Sequence, residues 1–277
     1  MAEVASFIIT FRETLEAALI VGIILAYLSR TGETRYNNFI YLGVAAGIIG
    51  SVLAAIIFNY VAGGFEGVAE EIFEGTVMLI GAVLITFMIL WMMNQKHLSR
   101  KIELKVKDEI QDGRKFGLFL LVFFSVLREG VETVLFLGAA SFAGDSSYSL
   151  AGSLGGVAAA IALGYVIFSG MKTIDLKKVF MITGTLLVLF AAGLVAHGVH
   201  ELQEAGVLPI YIEHLWDVNP PQNPDGTYPS LHDNGSVGSL AKGLFGYNGN
   251  PSLLEVVSYL AYIVLLVAVY IRYYKNE

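Results

Sequence analysis

Two short runs in this chain place ionisable side chains where apolar ones are expected. Arg12-Glu13-Thr14-Leu15-Glu16 and Arg128-Glu129-Gly130-Val131-Glu132 both read R-E-x-x-E, and they stand 116 residues apart in otherwise apolar stretches. Helical positions three and four apart share a face, so Arg12, Glu13 and Glu16 project from one side of a helix, as do Arg128, Glu129 and Glu132. Four carboxylates against two guanidiniums leave a formal charge of −2, which in a low dielectric takes up protons or a cation. The donors are oxygens: the chain has no cysteine, and neither motif holds a histidine. Hard ions suit such a set, and Ca²⁺, Mg²⁺, Mn²⁺ and iron are all admissible on that ground. Each arginine offers a vacated glutamate a competing partner, so Arg12 and Arg128 read as charge-compensating release switches. The plainer alternative is a structural ion network that ties helices together. The two-carboxylate excess favours the ion site.

The elements that must position these motifs belong to a bilayer. Of 277 residues, 56% are hydrophobic and 15% charged, and mean hydropathy is +0.67, more apolar side chain than an aqueous globule of this size can hide. The formal net charge of −7 provides no basic field for nucleic acid. Apolar runs long enough to cross about 30 Å of hydrocarbon predict seven transmembrane helices, at 4–28, 39–61, 72–93, 116–142, 150–171, 179–199 and 253–271. Basic residues fall on alternate connections: Arg30 and Arg35, seven within 94–115, three within 172–178, then Arg272 and Lys275, with Lys242 alone on the other side. The positive-inside rule therefore puts the N-terminus outside and the C-terminus in the cytoplasm. The charged stretch 94–115 reads as a solvated amphipathic connector, and 200–252, rich in Pro, Gly and Asn, as an irregular external cap.

A second recurrence accompanies the motifs. Gly43, Gly47, Ser51 and Ala55 reappear as Gly152, Gly156, Ala160 and Gly164 at a constant offset of 109. By themselves such ladders are helix-packing surfaces. Together with the motifs they predict an all-α integral membrane protein of two inverted three-helix repeats, 1–93 and 116–199, plus a seventh helix, all in one permease domain. An odd number of spans per unit inverts the second copy, an arrangement of secondary transporters that bind substrate near the midplane. At 1.5 Å per residue, both glutamate pairs lie about 13 to 20 Å from the outer ends of their helices, so they meet in mid-membrane. A charge there costs on the order of 2.5–3.5 kcal/mol, which argues against accident.

Toward the outer face stand further acids. Glu70 and Glu71 precede Glu74, which opens span three and is expected to reach the central site as a further metal ligand. His197, His200, Glu201 and Glu204 follow one another at i, i+3, i+4 and i+7 at the end of span six. These two groups read as a cation entry site, with helix-end decoration as the alternative.

The doubled R-E-x-x-E, the Phe73-Glu74-Gly75 that opens span three and the His200–Gly206 run H-E-L-Q-E-A-G together resemble the oxidase-dependent, high-affinity iron permease family, over nearly the whole chain. That resemblance implies a plasma-membrane permease taking up iron, as Fe³⁺ made by a partner ferroxidase, with Glu13, Glu16, Glu129 and Glu132 in binding and translocation. It also implies that the ferroxidase or extracytoplasmic iron-binding protein is a separate chain. Iron is then the cargo, and no organic cofactor is expected. Rival readings are a transporter of another hard divalent cation (Mn²⁺, Fe²⁺ or Ca²⁺) and a heptahelical receptor, though span seven has no lysine for a Schiff base. An enzyme is not expected, since no Ser/His or paired-Asp constellation lies within the spans.

Overall fold

The computed structural model describes residues 2–93, 98–111, 115–143, 150–169, 175–223, 227–235 and 237–275. Lys96, Arg114 and Lys172 of the basic connections, and the last two residues of the fifth predicted span, lie outside them. Nine α-helices are present among the described residues, and no strand. Seven run 19 residues or more: α1 (Ala2–Thr31), α2 (Asn37–Ala62), α3 (Val68–Met93), α5 (Lys115–Phe142), α6 (Leu150–Phe168), α7 (Leu176–Glu204) and α9 (Leu253–Lys275). Five of these, α2, α3, α6, α7 and α9, are long and apolar enough to cross a membrane by length and composition. The other two, α1 and α5, carry the R-E-x-x-E motifs.

Local chemistry marks the helix ends. Gly32, at φ 75°, takes the left-handed turn that stops α1, with Glu33 N–H returning to the Leu28 carbonyl. Asp175 caps α7, accepting from Lys178 N–H. α9 opens on a reciprocal capping box, in which Ser252 N–H donates to Glu255 and Glu255 N–H to the Ser252 hydroxyl. Helix α4 (Leu98–Gln111) buries Ile102 and Val106, one turn apart, and pairs Glu103 with Arg30 at 2.8 Å. The loop read as irregular is partly helical: α7 extends into it as far as Glu204, and α8 (Gly238–Phe245) forms within it. There α8 packs on α7 and α1, with half-buried Leu244 lining a small apolar cavity beside Ile8, Ile9, Leu187 and Phe190, and this packing favours the helix.

The ladders locate the tightest crossings. α2 packs chiefly on α5, and α1 on α6. A Cβ at Gly47 would lie 2.7 Å from Val126 Cβ and 3.2 Å from the Phe123 carbonyl oxygen. At Gly156 it would lie 2.5 Å from the Phe7 carbonyl oxygen and closer still to the Thr10 hydroxyl. Thr10 and Val126 are 116 residues apart, as are Phe7 and Phe123, so corresponding ladders meet corresponding partners. A third crossing joins α3 to α7 at Gly75 and Gly198, whose Cβ positions lie 2.9 and 3.0 Å from each other's carbonyl oxygens.

Two apolar clusters bracket the motifs. One gathers Ala5 and Ile9 of α1 with Phe136 of α5, Ile85 of α3 and Leu187 of α7. The other gathers Ile24 and Leu28 of α1 with Val122 and Val126 of α5, Ile40 of α2 and Val106 of α4. The charged residues occupy the layer between. Outward, α2 bares Ile48, Ile49, Val52, Leu53, Ile56 and Ile57, a surface for acyl chains rather than water.

Candidate metal site

At the α1–α5 contact the two motifs face each other. Within each, the arginine bridges its two glutamates. Arg12 donates to Glu13 Oε1 at 2.7 Å and pairs with Glu16 Oε1 at 2.7 Å. Arg128 donates to Glu129 Oε1 at 2.6 Å and pairs with Glu132 Oε1 at 3.3 Å. Each bridge uses one oxygen of the glutamate next to the arginine. The second oxygens, Glu13 Oε2 and Glu129 Oε2, are buried without a hydrogen-bond partner. A buried polar atom left so costs about 1–3 kcal/mol, more when charged, and a cation removes that cost.

Glu13, Glu129 and Glu132 each offer a carboxylate oxygen within 4.8 Å of the other two. Metal–oxygen lengths of about 2.0–2.6 Å put oxygens on opposite sides of a hard ion about 4–5 Å apart, so these three can grip one ion with little backbone movement. Glu16, the fourth expected ligand, is held on Arg12, and its charge acts on Glu129 across the interface. Thr10 anchors α1 beside the site by donating to the Ser6 carbonyl at 2.7 Å and the Ser153 carbonyl of α6 at 3.0 Å.

The outer acids gather elsewhere. At the Gly75–Gly198 crossing the Glu201 Cβ abuts Gly75, and Glu201 feels the charges of Glu74, Glu71 and Glu204. Glu74 is also within range of Glu70. So Glu74 stands with Glu70 and Glu201, and not with the group formed by Glu13, Glu129 and Glu132. The histidines turn to other partners: His197 Nδ1 bonds the Gly193 carbonyl at 3.0 Å, and His200 lies 3.0 Å from Glu255 and 3.2 Å from Glu204.

Several residues that shape these places escaped the sequence reading. Glu255 of α9, 1% exposed, holds His200, Asn248 and the Ser252 amide. Its signal was the Ser252-x-x-Glu255 spacing ahead of an apolar run. Met88 and Trp91 of α3 touch the two arginines, and nothing in an apolar helix marks them out.

A chain of long apolar helices with a charged inner layer is a membrane protein built to pass an ion, and the comparisons name the ion. The Iron permease FTR1 family matches residues 3–276, and the chain belongs to that family. It is 33% identical over 261 residues to the Ferrous iron permease EfeU of Escherichia coli O6:H1 (strain CFT073), covering 93% of this chain and 91% of that one. The corresponding Yersinia pestis protein is 31% identical, and one of E. coli strain K12, called a putative inactive ferrous iron permease EfeU, is 32% identical. No solved structure matches the chain. The protein is thus a multi-pass membrane permease for iron, a transporter and not an enzyme.

Proposed function

We propose that this chain spans the plasma membrane seven times, N-terminus outside and C-terminus in the cytoplasm, and imports iron through one site shared by the two R-E-x-x-E motifs. Glu13, Glu129 and Glu132 are the ligands, and Glu16 is a reserve carboxylate that Arg12 holds until the ion moves on. The observation that carries this reading is the pair of buried, partnerless oxygens, Glu13 Oε2 and Glu129 Oε2, beside Glu132. Arg12 and Arg128 re-pair with the glutamates as the ion leaves, which keeps the empty site from holding bare carboxylates in a low dielectric. Glu70, Glu71, Glu74, Glu201 and Glu204, with His197 and His200 beside them, collect the cation at the outer mouth.

Residues 1–93 and 116–199 form the two inverted units, with the 200–252 loop and the 253–271 span outside them. The matching partners of Gly47 and Gly156 support this pairing. In such a fold the apolar clusters on either side of the charged layer act as alternating seals, opened by rocking one unit against the other.

The cargo is Fe³⁺ on this reading, supplied by a separate ferroxidase or extracytoplasmic iron-binding protein, as the resemblance to the oxidase-dependent permeases implies; the carboxylate donors admit it without singling it out. A second reading has its own support. The four glutamates and two arginines carry −2, which a divalent ion neutralises, and the relatives above are named for ferrous iron. Uptake of labelled Fe³⁺, Fe²⁺, Mn²⁺ and Ca²⁺ into proteoliposomes separates the valences and the metals. The site assignment is tested in the same assay by the four Glu→Gln variants at positions 13, 16, 129 and 132. Loss of uptake at 13, 129 and 132 is expected, and wild-type uptake by all four overturns it.

A further inference from the structure

The C-terminal half of α3 turns one narrow strip toward both arginines. Met88 and Trp91 are three residues apart and share a side of that helix. Arg12 Nη1 meets the Met88 sulfur, and the guanidinium carbon of Arg128 lies 5.0 Å from the Trp91 ring centre. Neither partner is an ion. A thioether is polarisable and a weak acceptor, and an indole face attracts a cation through its quadrupole.

Each arginine is also the counter-ion of the glutamates beside it. An incoming cation takes those glutamate oxygens and repels both guanidiniums. An arginine with no other resting place stays on its glutamate and competes with the ion. We propose that Met88 and Trp91 are positioning residues that hold Arg12 and Arg128 beside the site while the glutamates are on the metal, and so raise the site's affinity for its cargo. This rests on the glutamates being the iron ligands, as argued above.

The test is radiolabelled iron uptake into proteoliposomes, offered in each valence, with inserted protein measured for every variant. Trp91→Leu is expected to raise KM about tenfold at unchanged kcat, whereas Trp91→Phe keeps an aromatic face and stays within about threefold of wild type. Met88→Leu keeps the volume, loses the sulfur and raises KM about threefold. A purely structural Trp91 would instead lower inserted protein or kcat, and Phe and Leu would fare alike. Should Trp91→Leu fail to insert, Met88→Leu decides: a raised KM supports the proposal and a wild-type KM overturns it. Wild-type KM in both Leu variants, with Glu129→Gln inactive, overturns this proposal and leaves the site reading intact. Wild-type uptake by Glu129→Gln removes the site reading and this proposal with it.

Discussion

The two R-E-x-x-E motifs have the same internal bonding and opposite surroundings. In the first, the side chains of Arg12, Glu13 and Glu16 are 0%, 1% and 10% exposed. In the second, Glu129 is as deeply buried at 3%, but Arg128 is 46% exposed and Glu132 22%. One copy is a sealed anchor and the other has an open flank. Two similar segments that meet face to face thus make an asymmetric group; on the proposed site Glu13 and Glu129 form the floor, and Glu132 with Arg128 the side on which the ion and its competitor would exchange.

The largest expected effect falls on the floor. On the proposed site Glu13→Gln and Glu129→Gln each remove a buried ligand, and iron uptake should fall at least about 100-fold, on the order of 3 kcal/mol. Glu132→Gln should cost about tenfold, since its side chain is 22% exposed against 1% and 3% for Glu13 and Glu129 and so loses less when its charge is removed. Equal losses at all three positions would erase the distinction between floor and flank.

Next come the arginines, which separate the two environments by stability. Arg12→Gln strands buried carboxylates and should lower stability by about 3–5 kcal/mol, read as a loss of folded protein after detergent extraction. At the half-exposed position, Arg128→Gln should cost about 1 kcal/mol or less. A matched drop in both would mean that the exposed flank is not open to solvent.

The crossings offer a test of the pairing itself. Gly47→Ala presses on Val126, and Gly156→Ala presses on Thr10 and the α1 backbone; each should destabilise by about 1–3 kcal/mol. Comparable costs sharpen the case for equivalent units, and a neutral Gly156→Ala breaks it. Smallest of all, Glu201→Gln at the mouth should raise KM about threefold and leave kcat unchanged, because it changes cation collection rather than binding.

Much of this architecture was legible in the residues. Apolar runs located the seven helices of 19 residues or more among the described residues, even where the charged motifs interrupt α1 and α5. The motif spacing placed the ionisable residues on shared faces, and the ladders anticipated where backbones touch. What stayed hidden depends on contacts between distant segments. That Glu16 remains on Arg12 while Glu132 joins Glu13 and Glu129 is decided by how α1 lies against α5, which no local pattern encodes. The partner of His200, Glu255, lies 55 residues on, a pairing that no local pattern announces. Helix α8 forms in a Gly-rich loop where it packs on α7 and α1, contacts just as absent from the local pattern.

Equilibrium binding of labelled iron to the purified protein bears most directly on whether the two motifs share one ion. Wild type should bind one ion per chain at the high-affinity site, either Glu13→Gln or Glu129→Gln alone should abolish that binding, and the double variant should be no worse than the singles. Two ions per chain, with each single variant losing one of them and keeping the other, would contradict a shared site.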